Sequence, residues 1–172
     1  TYIYAFKACG IVGSIDKGKQ IHDTVVCRGL IQKDNVLGNA LVDMYAKCGT
    51  LLEAQKVLKE LPVRDVVSWN ALISSYAHHG QGKEALECFG QMQEEGLCPD
   101  PITFASIVKA CSSIGAVDKA HSIHTDISKK GLQDNIVIGN ALLDMYANLG
   151  SLSTLQDNDS ASLDTEAEEL SH

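Results

Sequence analysis

The chain contains no apolar run near the ~18 residues that a membrane-spanning helix needs, no CxxC pair among its six cysteines, and few aromatic residues (5%). The first absence argues against a membrane helix. The second leaves Cys9, Cys27, Cys48, Cys88, Cys98 and Cys111 scattered, with the spacing of neither a zinc site nor a disulfide framework. They read as small apolar positions in a reducing compartment. The third disfavours the aromatic stacking platform of a sequence-independent single-strand binder. No basic stretch followed by an apolar one opens the chain, so no secretory signal is visible, which says little for a chain that opens on Thr1. Also missing are a P-loop, an HxE with a PCxxC, and any Ser-His-Asp constellation, so neither catalysis nor a bound cofactor is expected. No stretch alternates apolar and polar residues for long, which leaves little room for strands.

The formal net charge is −8, at first sight a poor match for a polyanion. Its distribution is uneven. Residues 151–172 hold Asp157, Asp159, Asp164, Glu166, Glu168 and Glu169 and no Lys or Arg. Subtracting those six from 22 acidic residues leaves 16 against 14 basic ones over residues 1–150, a net of −2. A near-neutral body is compatible with phosphate binding where its cations share a surface. From Ser153 onward, low hydrophobicity and charge of one sign read as a disordered acidic tail.

What the chain does contain is internal repetition. Gly38–Gly49, GNALVDMYAKCG, matches Gly139–Gly150, GNALLDMYANLG, at nine of twelve positions with an offset of 101. Ala8–His22 matches Ala110–His124 at an offset of 102, and Val66–Gly80 aligns with Asn35–Gly49 at an offset of 31. The long period therefore divides into three unequal units.

Each unit reads as a helical hairpin. Trp69, Leu72, Ile73 and Tyr76 follow the spacing of one helical face. Gly80 and Gly82 then interrupt the helix and permit a turn. Ala85, Phe89 and Met92 form the stripe of a second helix, Gly96 stands where a left-handed C-cap is expected, and Pro99 follows as a stop. Gly29 and Gly131 hold the matching places in neighbouring units. A pair of helices this short cannot bury its own apolar face, so the units must stack. The expected fold is all-α, an α-solenoid of antiparallel helix-turn-helix repeats of about 31–35 residues.

A constant 34-residue unit would suit a tetratricopeptide array. Here the units vary: Asn35–Asp65 has 31 residues, Val66–Asp100 has 35 and Pro101–Asp134 has 34. With the wording GNALVDMYAKCG and VVSWNALISSYAHHG, this rotation resembles the plant pentatricopeptide repeat family and its L, S and P repeat classes. On that resemblance residues 1–34 are L-like, 35–65 S-like, 66–100 P-like, 101–134 L-like and 135–152 a partial S-like repeat. Residues 153–172 form the tail. The likeness covers roughly 150 residues.

The resemblance implies single-stranded RNA binding in a mitochondrion or chloroplast, in editing, splicing or stability, alongside other RNA-processing proteins. In the family the fifth and last residues of a repeat select the base and the second packs on it. Carried over, Asn39 with Asp65 and Asn70 with Asp100 are the base-selecting pairs, with Val36 and Val67 packing on the bases. That combination favours uracil, so a UU dinucleotide is the expected preference. An Asn amide offers a donor and an acceptor to a pyrimidine edge, and the Asp would orient it. The L-like repeats depart from the pattern, with Ile3 and Ala105 at the fifth position opposite Asp34 and Asp134, and Ile102 at the second. Weak reading is expected there. The last repeat supplies Ile136 and Asn140 but no closing residue.

Other uses of these residues stand beside that reading. Asn39, Asn70 and Asn140 also suit helix N-caps. Tyr45, Tyr76 and Tyr146 recur at one helical position and read as packing between helices. His121 and His124 form an HxxH, matched by His22, but no third ligand accompanies them, so packed or surface histidines are expected and no metal. With its second helix missing, the last repeat should leave Leu142, Leu143 and Tyr146 partly uncovered. The competing function is a protein-interaction solenoid, or a truncated repeat protein without RNA binding of its own, consistent with the few repeats and the acidic balance.

Overall fold

The computed structural model describes residues 1–150. The acidic tail expected from Ser153 lies outside them. The described residues form helices α1 (Tyr2–Val12), α2 (Ile15–Cys27), α3 (Asn35–Lys47), α4 (Leu51–Glu60), α5 (Val66–His78), α6 (Gly82–Glu94), α7 (Pro101–Ser113) and α8 (Val117–Lys129). A ninth, α9, runs over 136–150. Helices α1, α3, α5 and α7 pack in series as one layer. Each is followed by its hairpin partner in a second layer, and α2, α4 and α6 also lie against the first helix of the next repeat. This is the expected all-α solenoid.

Local chemistry explains where each helix starts and stops. Odd-numbered helices from α3 onward begin behind a side-chain cap. Asp34 accepts the Val36 and Leu37 amides, while Asp65 and Asp100 form capping boxes with Ser68 and Thr103. Pro101 occupies the first turn of α7, where its missing N–H costs nothing. The first helix of each hairpin ends on a glycine with positive φ, such as Gly80 at 71°. That conformation turns the chain so that the Gln81 amide reaches back to the Tyr76 carbonyl at 2.9 Å, and α6 starts at once. Gly96, at φ 77°, ends α6 the same way, with the Leu97 amide on the Met92 carbonyl. The S-like unit is short because α4 has 10 residues where α2, α6 and α8 have 13.

Gly82 does not extend the turn, as the sequence suggested. It is the first residue of α6, and a Cβ there would lie 2.6 Å from the Ala110 carbonyl oxygen and 2.8 Å from Ile114. The hairpin glycine allows α6 to approach α7.

The core runs continuously through the stack. Trp69, Leu72, Ile73 and Tyr76 of α5 and Ala85, Phe89 and Met92 of α6 are all buried, as the periodicity indicates. Burying each large side chain contributes about 1.5–3 kcal/mol. The Trp69 indole N–H donates to Glu95 Oε2 at 2.9 Å, and Arg64 Nε reaches Glu95 Oε1 at 2.6 Å, so the buried indole has its acceptor. Tyr45 pairs its hydroxyl with His22 Nδ1 at 2.9 Å, and Tyr146 with His124 Nδ1 at 2.7 Å. The recurring Tyr and His thus join one repeat's second helix to the next repeat's first helix. Burial pushes the Tyr45 phenol up to about 12 and lowers the His22 imidazole.

The last repeat needs a correction of register. Asn135, expected as its first residue, is instead the cap: its Oδ1 accepts the amides of Val137 and Ile138. Asp34 treats Val36 and Leu37 the same way. Hence Asn135 corresponds to Asp34 and closes the preceding repeat, displacing Asp134 from that role. Val137, not Ile136, then stands at the second position, and Asn140 remains at the fifth. Sequence could have revealed this, because the 101-residue offset that matches Gly38 to Gly139 also pairs Asp34 with Asn135.

Candidate nucleic-acid interface

Helices α1, α3, α5 and α7 line a cleft of about 750 Å³ that collects most of the central candidate residues: Ile3, Val36, Asn39, Asp65, Val67, Asn70 and Ile102. These residues meet because each second and fifth position lies in the first turns of its helix, behind an Asp cap on α3, α5 and α7, on the same side of the layer. Val36, Val67 and Ile102 are 61%, 62% and 58% exposed, three branched apolar side chains repeated along the cleft. Val137 matches them at 57%. Solvated valine and isoleucine at regular spacing form a row of apolar platforms one repeat apart.

Behind the row stand two Asn–Asp bridges. Asn39 Nδ2 lies 3.1 and 3.0 Å from the two carboxylate oxygens of Asp65. Asn70 Nδ2 lies 3.0 Å from both oxygens of Asp100. Each bridge joins the two residues that the resemblance pairs, and each Asp also caps the following helix. One residue therefore fixes the helix start and the amide together. Burial works to raise the Asp65 carboxyl, but hydrogen bonds from Asn39, Ser68 and the Val67 backbone outweigh it and hold it below the ordinary carboxylate value. Burial likewise opposes Asp100, and the bonds from Thr103, Asn70 and Ile102 prevail.

The capping alternative for the asparagines fails at Asn39 and Asn70, because the caps are Asp34 and Asp65. The amide geometry also departs from the expected donor-and-acceptor presentation. Asn70 Oδ1 accepts the buried Thr103 hydroxyl at 2.6 Å, and Asn39 Oδ1 is buried with no partner. An ionised carboxylate only accepts, so the amide nitrogen must face it. One N–H, shared between the two carboxylate oxygens, holds the bridge. Each Nδ2 carries a second N–H beyond the one the bridge uses.

Sequence reasoning overlooked Asn35, whose Nδ2 donates to Asp65 Oδ2 at 2.7 Å, and the bracing hydroxyl of Thr103. A capping-box pattern, Asp-x-x-Ser or Asp-x-x-Thr, marks Ser68 and Thr103 in the sequence. Nothing marks which way the hydroxyl turns. Elsewhere the structure brings less together. Asp34 serves as a cap, Asp134 is exposed, Ala105 is half-buried, and Asn140 is exposed on α9. Ile136 is 79% exposed at the first position of its repeat, outside the second-position row. Farther along the cleft lie Lys7, Lys47, His78 and His79, with Asp43 bridged to Lys47 at 2.7 Å. The described residues contain no cluster of three or more metal-ligating side chains, and no helix among them is long and apolar enough to cross a membrane.

Comparison with known proteins follows the same residues. A model of the PPR repeat family matches residues 64–113, and a PPR repeat model matches residues 39–66. A chloroplastic pentatricopeptide repeat-containing protein of Arabidopsis thaliana is 39% identical over 153 residues, covering 89% of this chain and 25% of that protein. A mitochondrial one from the same plant is 39% identical over 139 residues, covering 81% of this chain and 23% of its own length. The chain thus spans about a quarter of the length of these curated relatives. Among solved structures, the pentatricopeptide repeat protein PPR10 from maize superposes with a TM-score of 0.66 at 27% identity, over 91% of this chain and 23% of that one. PPR10 in complex with an 18-nt psaJ RNA element gives 0.62 at 28% identity, over 74% of this chain and 19% of that one.

Proposed function

The chain belongs to the pentatricopeptide repeat family, and from that membership we propose that its array binds single-stranded RNA with a preference for two adjacent uridines. The observation that carries the reading is the pair of Asn–Asp bridges, one repeat apart, behind the exposed Val36, Val67 and Ile102. Apolar side chains at that spacing suit base faces, and the second N–H of each Asn suits a carbonyl oxygen on a base edge. Uracil carries a carbonyl on each side of its N3–H, so a donor meets an acceptor at either flank. Cytosine replaces one of them with an amine. The L-like repeats, with Ile3 and Ala105 at the fifth position, contribute packing without a side-chain hydrogen bond.

The rotation of unit lengths supports reading the array as one of the family's L-S-P class. The chloroplastic and mitochondrial relatives support an organellar location, and the role proposed there is RNA processing, by editing, splicing or stabilising a transcript. A second reading, a scaffold that binds other proteins, draws on the −2 balance of residues 1–150 and on the Asp43–Lys47 bridge, which ties up a cleft cation. Few phosphate contacts would give a shallow salt dependence.

Binding of the chain to short single-stranded RNAs with UU, CC, AA or GG at the centre separates the two. RNA reading requires tightest binding to UU and loss of that preference in Asn39→Ala and Asn70→Ala. No binding to any RNA at low salt would move the assignment to the scaffold.

A further inference from the structure

The two bridges share residue types but not their bracing. Around Asn70 three side chains meet, with the single Thr103 hydroxyl proton set between two acceptors. The Thr103 hydroxyl lies 2.6 Å from Asn70 Oδ1 and 2.9 Å from Asp100 Oδ1, while Asn70 Nδ2 lies 3.0 Å from Asp100. Both ends of the amide are therefore held, one by an anion that only accepts and one by a hydroxyl that donates. Around Asn39 the equivalent side chain is Ser68. Its hydroxyl turns instead to the Asp65 main-chain carbonyl at 2.8 Å. Asn35 adds a bond to Asp65, bracing the carboxylate, and Asn39 Oδ1 stays buried and unpartnered. The amide is held at its nitrogen alone.

We infer that the third residue of the following repeat is a positioning residue for base reading: Thr103 fixes the Asn70 amide, and Ser68 leaves the Asn39 amide loose. The inference rests on the RNA-reading assignment above. A donor aimed by a rigid triad discriminates by direction as well as by presence, because hydrogen bonds weaken steeply off-axis. An amide pinned at one end swings to accommodate an ill-matched base. The two adjacent readers, alike by their fifth and last residues, therefore differ in stringency, and the P-like repeat is the stricter. The chemistry of the brace accounts for the difference. Thr103 and Ser68 are both fully buried and both complete capping boxes. Only the β-branched Thr has a second Cβ substituent to restrict where its hydroxyl points.

The test measures binding of the whole chain to a short RNA centred on UU, and to versions with either uridine replaced by adenosine. Asn39→Ala and Asn70→Ala assign each nucleotide to its repeat. In the wild-type chain the penalty at the Asn70 nucleotide should exceed that at the Asn39 nucleotide by roughly three- to tenfold, the size of one neutral hydrogen bond. Ser68→Thr should raise the Asn39 penalty and leave the Asn70 penalty unchanged. Thr103→Val should lower the Asn70 penalty alone. Thr103→Val also removes part of a capping box, so Ser68→Thr, which retains a hydroxyl there, carries the test if the former unfolds. A UU preference with equal penalties, untouched by Ser68→Thr, overturns the inference and leaves the RNA assignment standing. Absence of any UU preference overturns both.

Discussion

Replacing Asp100 with Ala removes two supports at once, and the structure allows the cost to be estimated. The carboxylate caps α7 through the Thr103 amide at 2.9 Å, and losing an N-cap of this kind costs about 1 kcal/mol. It is also the acceptor for Asn70 Nδ2, whose residue is only 8% exposed. A largely buried amide stripped of its partner costs about a further 1–3 kcal/mol, toward the lower end here because the neighbouring cleft admits water. Asp100→Ala should therefore lose roughly 2–4 kcal/mol. Asp100→Asn keeps an Oδ1 for both donors and is an equally good cap. It sacrifices the second carboxylate oxygen that Asn70 Nδ2 also faces, with the charge assistance, about 1–2 kcal/mol together. Urea unfolding followed by far-UV circular dichroism at pH 7 measures both variants. An Asp100→Ala loss under 0.5 kcal/mol would refute the claim that one carboxylate holds helix and amide together. Equal losses in the two variants would refute the division between geometry and charge.

Other predictions follow from the same contacts. Asp65 and Asp100 have carboxyls held below the ordinary value of 3.8. The stability they add is present above that value and disappears as pH falls through their lowered folded-state pKa, so acid unfolding in Asp100→Asn should have a shallower pH slope than in wild type. Gly82→Ala should cost about 1–3 kcal/mol, because its Cβ would meet the Ala110 carbonyl at 2.6 Å. Gly90→Ala, with nothing within 4 Å of its Cβ in the interior of α6, should stabilise by about 0.5–1 kcal/mol; equal thermal shifts in the two variants would contradict the close approach of α6 to α7. Leu143 is 71% exposed while Val42, its equivalent in the earlier S-like repeat, is fully buried. Amides over 140–147 should accordingly exchange with deuterium much faster than those over 39–46, and equal protection would show that α9 is covered after all.

The amino-acid sequence by itself determined the repeat and the hairpin. Apolar spacing, turn glycines and Asp caps are local signals, and each acts within a few residues of where it is written. For that reason the sequence places Trp69, Leu72, Phe89 and Met92 in the core, whereas the fifth position of Asn39 and Asn70 follows from the family resemblance. Local signals are weaker where two neighbouring residues compete for one role, as Asp134 and Asn135 do for the cap that sets the register of the last repeat. Only the tertiary structure decided matters that depend on residues distant along the chain. The bridge from Asn70 to Asp100 spans 30 residues, and the Thr103 hydroxyl closes it from the next helix. Gly82 owes its place to a carbonyl on α7, and His22 and His124 owe theirs to tyrosines one repeat away. The direction of an amide or a hydroxyl is set by whichever donor or acceptor packing brings within 3 Å. No run of residues along one helix encodes that neighbour.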